Sequence, residues 1–316
     1  MKIALIVIAV VLICVGWLMP MLGLKAGDNP VTQSPADVGV SFKSIQIDSD
    51  GLTLEGWWIE ADQPHSVIIW LHGAGSSRIS KFFDTLGFYK TASEQGYSVL
   101  TFDQRNAGNS EYSDGYMRLG AVEWRDAMAA REWVRQEQPS DLPVILIGLS
   151  MGGATAVYAL ENGLEANGLV LFDPLLNTPD SLRLGGWVGY GLPPWFFQPM
   201  AWFATRFWSL RYGDDDALAV AKSLATPSLL LQNKNDPITR SKWSEEAAEA
   251  NERINIAFVP DIDPSSPCLA DKGRWGTHAA AYHCHPTWTM EQLDAFRASI
   301  TADPGPLAQG QSLDSP

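Results

Sequence analysis

Cysteine, histidine and basic residues are scarce in this sequence of 316 residues. It contains three cysteines, five histidines, and 22 lysines and arginines against 36 acidic residues, for a net charge of -14. No cluster of lysine and arginine stands out, which argues against binding to the phosphate backbone of a nucleic acid. We interpret the acidity as an aid to solubility. No internal repeat is visible, and the length suits one large α/β domain or two small ones.

One long uncharged apolar run is present, and it lies at the N-terminus. Residues 3–24 carry no charge and follow Met1-Lys2. The run is long enough to cross a bilayer as a helix, and residues 24–26 fit a signal-peptide cleavage site poorly. We therefore predict an uncleaved single-pass membrane anchor over residues 1–27, with the rest of the chain outside the cytoplasm. The alternative is a cleaved signal peptide and a secreted or periplasmic protein.

Short apolar segments alternate with helical ones along most of the remaining chain. This alternation predicts an α/β fold with a mostly parallel twisted sheet, helices on both faces, and an antiparallel hairpin at one edge. The predicted strands are residues 44–48, 52–59, 67–71, 97–102, 142–147, 168–172, 226–232 and 254–258, and the predicted helices are 81–95, 122–137, 290–300 and one beginning after residue 150.

Composition divides the chain into four parts. Residues 28–43 are polar and contain proline, so we interpret them as a linker, and residues 44–300 form the α/β domain. Within it, about residues 174–225 break the strand–helix alternation and are rich in tryptophan and phenylalanine. They predict a helical cap insertion, which either lines a substrate pocket, lies at a membrane interface, or is simply packed core. Residues 301–316 have the composition of a disordered tail.

A Gly-x-Ser-x-Gly motif centred on Ser150 follows an apolar strand and precedes a helix of small residues. This context is typical of a nucleophile elbow, in which a sharp turn exposes the serine at the edge of the sheet. A glycine-rich turn in a protein without catalytic activity is the simpler alternative.

A serine nucleophile needs a base and a group that orients the base. Asp236 follows the strand at 226–232, and His278 lies between the last strand and the last helix. The order Ser150, Asp236, His278 is the order expected of an elbow enzyme. Asp173, after the preceding strand, is the competing acid. His283 and His285 lie close to His278 in sequence, but their spacing lacks a matching carboxylate motif, so we predict no metal site.

The oxyanion hole requires two backbone N–H groups beside the reacting carbonyl. Met151, the residue after the nucleophile, supplies one. Ala74 is our candidate for the other, because residues 71–75 follow an earlier strand. His72, in the same segment, is interpreted as a buttress of the loop.

The cysteines offer one candidate disulfide. Cys14 belongs to the predicted anchor, so Cys268 and Cys284, sixteen residues apart, could pair in an oxidising compartment. Two unrelated thiols are the equal alternative, since sequence does not give the distance between them.

With these residues in place, the chain resembles the α/β-hydrolase superfamily, and within it the serine-aminopeptidase-like and Bem46-like hydrolases, which often have an N-terminal membrane segment. The resemblance covers about residues 40–300. One departure is the extended loop at residues 261–275. Dehalogenases and epoxide hydrolases of the superfamily use an aspartate nucleophile, and this chain has Ser150 in its place. The segments that carry the resemblance are residues 72–75, 103–110, 148–153, 235–237 and 276–278.

We expect a membrane-associated serine hydrolase that cleaves an ester or thioester with an apolar acyl or aryl group, such as a lipid-like molecule, without a metal or organic cofactor. Two alternatives stay open. One is a serine peptidase or amidase of the same fold, and the other is a pseudo-hydrolase that binds partners without catalysis. Whether the side chains of Ser150, Asp236 and His278 converge in an accessible pocket separates the pseudo-hydrolase from the enzymes.

Overall fold

A single eight-stranded sheet organises the part of the chain that the computed structural model describes, namely residues 6, 10–11, 13–27, 29–138 and 141–302. The strand order is β1-β2-β4-β3-β5-β6-β7-β8. β2 pairs antiparallel with both β1 and β4, and all other neighbours are parallel. The predicted mostly parallel sheet with an antiparallel edge is therefore confirmed. The strands are β1 (Lys43–Ser49), β2 (Leu52–Ile59), β3 (Ser66–Leu71), β4 (Tyr97–Phe102), β5 (Val144–Leu149), β6 (Gly168–Phe172), β7 (Ser228–Gln232) and β8 (Ile254–Phe258).

Helices connect the strands and cover the sheet. Two of them, α8 and the short α9, were not predicted, and β5 ends two residues later than predicted. The helices are α1 (Met19–Leu24), α2 (Thr85–Glu94), α3 (Trp124–Glu137), α4 (Met151–Glu161), α5 (Thr178–Tyr190), α6 (Gln198–Phe207), α7 (Ala217–Ala221), α8 (Ser241–Ala250), α9 (Ala281–Cys284) and α10 (Pro286–Ala302).

The sheet separates two apolar layers. Side chains of β3 alternate between them because successive residues of a strand point to opposite faces. Val67, Ile69 and Leu71 lie in one cluster, and Ile68 and Trp70 lie in the other. Both faces of this central strand are thus covered, as expected for parallel strands that are buried on each side.

The segment predicted as a linker packs on the domain. Pro35–Val38 forms a short 3-10 helix that ends at Gly39, which has a positive φ of 79°. Val31 and Val40 are partly buried against the second apolar layer. These contacts join residues 29–42 to the core of the domain.

The N-terminal segment continues as helix where it is described. Cys14–Leu18 forms a π-helical turn that leads into α1. Residues 1–5, 7–9 and 12 of the predicted anchor lie outside the described residues. Among the described residues, no helix combines the length and the apolar character needed to cross a membrane.

Between β6 and β7 the chain builds the predicted cap region. It contains α5, a 3-10 helix at Pro194–Phe197, α6 and α7. α5 and α6 pack against each other, and α6 also packs against the N-terminal segment. Since these elements follow the carboxyl end of β6, they cover the edge of the sheet at which Ser150 lies.

The turn from β5 into α4 is unusually tight, and glycine makes it possible. A Cβ atom added to Gly152 would lie 2.1 Å from the carbonyl oxygen of Leu71. No real side chain fits at that distance, so α4 approaches the end of β3 as closely as the backbone allows. Gly185 in α5 has no neighbour within 4 Å of its added Cβ.

We expect Gly152→Ala to lower the free energy of unfolding by about 1–3 kcal/mol, because the added methyl group must push the backbone of α4 from β3. Gly185→Ala is the matched control within a helix, and it should be neutral or stabilising by up to about 1 kcal/mol. Urea unfolding followed by circular dichroism measures both. Equal stability of the G152A variant and the wild type would contradict this account of the turn.

Cys268 and Cys284 form a disulfide in the structure, with their Cα atoms 5.5 Å apart. Cys268 belongs to the extended loop before His278, and Cys284 ends α9 after it. The bond therefore closes the short segment that carries His278. Cys14 is free.

We expect one reactive thiol in the unreduced, denatured protein, from Cys14, and three after reduction. A Cys268→Ser/Cys284→Ser variant should unfold with a free energy lower by about 3 kcal/mol, the loop-closure value for a ring of this length. Titration with a thiol reagent and urea unfolding provide the two readouts. Three reactive thiols before reduction would exclude the bond.

Candidate active site

Ser150 occupies the turn between β5 and α4 in a strained backbone conformation. Its φ is 53° and its ψ is -114°, values that residues other than glycine rarely adopt. The backbone of β6 fixes this conformation, because Ser150 N donates to the carbonyl of Phe172 at 2.9 Å and Leu175 N donates to Ser150 O at 2.9 Å. The result is a serine side chain held at the carboxyl edge of the sheet, as the motif predicts.

The structure brings the three sequence-predicted side chains into one line of hydrogen bonds. Ser150 Oγ lies 3.0 Å from His278 Nε2, and His278 Nδ1 lies 2.7 Å from Asp236 Oδ2. All three residues are at least nine-tenths buried. Because a carboxylate only accepts hydrogen bonds, Nδ1 carries the hydrogen and Nε2 is left to accept from the serine hydroxyl.

The two carboxylate oxygens of Asp236 have different partners, one in the turn after β7 and one in the site. Oδ1 accepts the backbone N–H groups of Ile238 and Thr239, both at 2.7 Å. Oδ2 faces the imidazole of His278. The turn-capping and histidine-orienting interpretations of this residue are therefore compatible, since one oxygen fixes the turn after β7 and thereby aims the other.

Asp173, the competing acid, is buried beside the same histidine but is saturated by other donors. Oδ1 accepts from Asn233 N at 2.7 Å and Gln232 Nε2 at 3.2 Å. Oδ2 accepts from Asn233 Nδ2 at 2.7 Å and Ala279 N at 2.9 Å. Burial and the nearby Asp236 raise its pKa to about 7. Asp173 thus joins the turn that carries Asp236 to the residue that follows His278.

A buried lysine that the sequence analysis missed completes this network. Lys272 Nζ donates to the carbonyl oxygens of His278 at 2.9 Å and Ala279 at 3.1 Å. Burial lowers its pKa to about 8, against the opposing effect of Asp173 and Asp236. Lys272 lies in the extended loop at 261–275, and no motif there could have identified it. The loop that departs from the superfamily pattern therefore helps to hold the histidine.

The electrostatics around His278 raise the pKa of its imidazole. Burial works against the charge on the ring, but the two neighbouring carboxylates, Asp236 first, outweigh it and raise the pKa above the usual 6.5. A raised pKa strengthens the imidazole as a proton acceptor. It also stabilises the imidazolium that forms when the ring takes a proton.

Ligand atoms of Asp173, Asp236 and His278 lie within 4.8 Å of one another, so these residues form the cluster that could geometrically hold a metal ion. Each of these atoms already has a hydrogen-bond partner within the protein. The hydrogen bonds account for the arrangement. His283 and His285, on and after α9, do not belong to the cluster.

The loop after β3 passes directly beside Ser150. A Cβ atom added to Gly73 would lie 3.4 Å from Ser150 Cβ and 4.0 Å from its Oγ. Ala74 follows in this loop, and Met151 begins α4, where the first backbone N–H groups of a helix have no partner inside it. Among the described residues, neither the Ala74 nor the Met151 N–H donates a hydrogen bond.

His72 supports this loop rather than the proton transfer. Its Nε2 accepts the backbone N–H of Gln104 at 3.0 Å, so its Nδ1 carries the hydrogen and donates to Gly73 O at 2.9 Å. Burial lowers its pKa, although Asp103 opposes the shift. The ring is therefore neutral and fixes the loop next to Ser150, as the buttress interpretation predicts.

A cavity of about 1110 Å³ opens onto Ser150 and His278. Its walls are mainly apolar and come from three parts of the chain, which are the N-terminal segment, the loop after β3 and the cap. The lining includes Met19, Leu22, Phe82, Leu182, Tyr190, Leu192, Phe196, Phe197, Met200 and Trp275. The described lining residues include no aspartate or glutamate. Apart from the titratable His278, the basic ones are Lys25 and Lys81.

Comparison with known proteins agrees with this architecture. Residues 62–214 match the profile of the family described as serine aminopeptidase, S33. The chain is 25% identical over 219 residues to the lysophosphatidylserine lipase ABHD12 of Danio rerio, covering 65% of this chain and 54% of that protein. It is 31% identical over 126 residues to the phospholipase YtpA of Bacillus subtilis, covering 38% of this chain and 44% of that protein. The chain thus spans about half the length of the curated relatives it matches.

Solved structures share the fold at low sequence identity. The esterase Pf2001 of Pyrococcus furiosus superposes with a TM-score of 0.67 at 20% identity, covering 87% of this chain and 98% of that one. Est1E of Butyrivibrio proteoclasticus, solved with ferulic acid, superposes with a TM-score of 0.58 at 15% identity, covering 82% of this chain and 100% of that one. Together with the strand order, these matches show that the chain has the α/β-hydrolase fold.

Proposed function

We propose that the protein is a serine hydrolase that cleaves an ester or thioester through an acyl-enzyme. The continuous hydrogen-bonded line from Ser150 Oγ through His278 to Asp236 carries this proposal, because these are the contacts that general-base activation of a serine needs. The same line argues against a pseudo-hydrolase, since nothing in a binding scaffold requires it.

The first step is attack by Ser150 Oγ on the substrate carbonyl carbon. His278 Nε2, at 3.0 Å, takes the hydroxyl proton as the new C–O bond forms. Asp236 then stabilises the imidazolium through the 2.7 Å contact to Nδ1 and keeps the ring from rotating. The negative charge that develops on the carbonyl oxygen is stabilised by the backbone N–H groups of Ala74 and Met151, neither of which donates to another described residue.

In the second half of the reaction, water hydrolyses the acyl-enzyme with the same residues in the same roles. His278 gives its proton to the departing alcohol or thiol, and the acyl group stays on Ser150. A water molecule then occupies the place of the leaving group, and His278 removes its proton as it attacks the acyl carbonyl. Ser150 is released with its proton restored. The chemistry uses protein groups throughout and needs no cofactor.

The lining of the cavity supports a substrate with an apolar acyl or aryl part and an anionic group. Apolar cap residues surround most of the cavity, while Lys25 and Lys81 are its exposed charged residues. An aminopeptidase needs a carboxylate to bind the substrate amine, and the described lining residues include none. Ester-cleaving lipases and a phospholipase among the relatives point in the same direction. We therefore favour lipid-like esters over peptides.

We also propose that residues 1–27 attach the enzyme to a membrane, with the hydrolase domain outside the cytoplasm. The uncharged run at residues 3–24 supports this, since it matches the length that a bilayer requires. A disulfide between Cys268 and Cys284 is consistent with such a compartment. Cleavage of the segment as a signal peptide is the alternative.

We expect Ser150→Ala to reduce kcat for short-chain ester hydrolysis by about 10⁴-fold or more and to abolish labelling by a fluorophosphonate probe, because the nucleophile is lost. Ser181→Ala is the matched control, since Ser181 is also a buried serine of the cavity lining. It should keep labelling and most of the activity. Labelling that persists at another residue of the S150A protein would defeat the assignment.

We expect the pKa of the His278 imidazole to lie above 6.5 and to fall in an Asp236→Asn variant, because the charge that holds the proton on the ring is removed. The reaction needs the neutral ring, so the rate should rise as pH increases through this pKa, and the rise should move to lower pH in the variant. NMR titration of ¹⁵N-labelled histidines measures the pKa, with His278→Gln to assign the signal.

Asp263→Asn serves as the control, because Asp263 is an exposed acid in the loop before His278. Its titration curve for His278 should match the wild type. A wild-type pKa below 6.5, or one that Asp236→Asn leaves unchanged, would contradict the described electrostatics.

A further inference from the structure

A long stretch of the cap carries no charge, although the chain as a whole is strongly acidic. Residues 184–205 contain no lysine, arginine, aspartate or glutamate, in a protein with a net charge of -14. Arg183 and Arg206 flank the stretch on either side. An uncharged segment with cationic ends is unusual for a surface that faces only water.

Much of this stretch is nevertheless exposed. The exposed fractions are 62% for Tyr190, 71% for Trp195, 43% for Phe196, 46% for Trp202 and 65% for Phe207. We call these five residues, together with Leu192, the aromatic face. The rings of Trp195 and Phe196, and those of Trp202 and Phe207, adjoin each other in pairs, and large exposed apolar surface on a protein marks an interaction site.

Helix α6 shows most clearly that the aromatic face is separate from the core. One side of the helix is buried and includes Met200, Ala201 and Ala204. Trp202, on the opposite side, and Phe207, at the last position of the helix, are exposed. A helix that is apolar on both sides belongs in a fully apolar environment, and the outer side of α6 has no partner in the part of the chain that the structure describes.

The N-terminal segment packs on the cap beside the aromatic face, through Phe203, whose ring adjoins those of Trp202 and Phe207, and through Trp208. A Cβ atom added to Gly16 would lie 3.0 Å from the ring of Phe203. The rings of Trp17 and Trp208 are 5.1 Å apart, and Trp208 Nε1 donates to the carbonyl of Gly16 at 3.3 Å. Trp17 and Leu22 are themselves 62% and 54% exposed. The predicted anchor and the cap therefore present one continuous apolar surface.

The side chain of Arg206 places a positive charge beside the aromatic face. The Arg206 guanidinium lies 4.4 Å from the Trp202 ring and 4.9 Å from the Tyr212 ring. Among the described residues, no carboxylate lies within salt-bridge distance of it. A long cationic side chain beside aromatic rings is suited to reach lipid phosphate groups while its stem stays in apolar surroundings.

We propose that the aromatic face and the adjoining N-terminal segment are embedded in the interfacial region of a lipid bilayer. Tryptophan and tyrosine are enriched at that depth, where an apolar ring and a polar edge are both accommodated. The absence of acidic residues from the face avoids repulsion by lipid phosphates, and the rest of the acidic chain then faces water. The proposal concerns binding and is independent of the role of Ser150.

This orientation places the mouth of the cavity at the bilayer. Leu22, Tyr190, Leu192 and Phe196 belong both to the exposed surface and to the cavity lining. An acyl chain could pass from the lipid into the cavity without crossing water. This consequence, unlike the docking itself, rests on the proposed hydrolase function.

Fluorescence quenching by spin-labelled lipids tests the docking. In full-length protein with Cys14→Ser, a single cysteine is introduced as Trp195→Cys, Phe207→Cys or Glu94→Cys and labelled with an environment-sensitive fluorophore without reductant. Glu94 is the control, because this exposed residue ends α2 just before β4 begins, at the opposite edge of the sheet from the cap. The proteins are reconstituted in phosphatidylcholine vesicles containing a lipid with a nitroxide near its carbonyl group.

We expect probes at 195 and 207 to be quenched at least threefold more than the probe at 94. Equal quenching at all three positions, or protein that does not float with the vesicles, would overturn the proposal. Unquenched probes at 195 and 207, in variants whose unlabelled cysteines form disulfide-linked dimers on oxidation, would show that a second copy covers the face, which also overturns it. None of these outcomes depends on catalysis, so a failure of the hydrolase assignment would be seen separately in the S150A experiment.

Discussion

Two buried carboxylates beside one imidazole impose the main physical constraint on this site. An ionised group in a protein interior is costly unless hydrogen bonds or opposite charges compensate it. Asp173 is compensated by four N–H donors, and Asp236 by two backbone N–H groups and the imidazole. Lys272 adds a positive charge next to both. Asp173 follows β6, whereas these donors come from the end of β7, the turn after it and the loop around His278, so satisfying the carboxylates also assembles the site.

The parallel sheet explains why residues far apart in sequence meet at this point. The carboxyl ends of β5, β6 and β7 share one edge, and they deliver Ser150, Asp173 and Asp236 in strand order. His278 has no strand of its own beneath it. The Cys268–Cys284 bond, the Lys272 contacts and the Asp173–Ala279 hydrogen bond hold its loop instead. The extended loop at residues 261–275 therefore helps to hold His278, the base, in place.

Sequence patterns predicted the sheet well and singled out three side chains that the structure brings together, because both depend on local signals. Buried strands are apolar runs, and an elbow, a strand-terminal acid and a late histidine appear in a fixed order. The function of Asp173 as a link between the two halves of the site was not predictable, since its partners lie as far as 106 residues away in sequence. Lys272 and helix α8 were missed for different reasons. The lysine depends on a distant contact, whereas Ser241–Ala250 is rich in alanine and glutamate and offered a local signal.

The same comparison applies to the cap and the N-terminal segment. Composition separated residues 174–225 from the sheet, yet it did not show which of the aromatic residues would be buried. In the structure, Phe197 is buried in the cap, whereas Trp195 and Phe207 are exposed. The cavity, the aromatic face and the predicted anchor therefore lie together, which connects the substrate we propose to the place where such molecules are found.

Trapping of the acyl-enzyme tests the central claim most directly. Mixing the protein with an excess of an activated aryl ester and quenching in acid within milliseconds should give a burst of one aryl group released per protein molecule. Peptide mapping by mass spectrometry should place the acyl mass on Ser150. An acyl group on another residue, or turnover of the ester without any covalent intermediate on Ser150, would contradict the account.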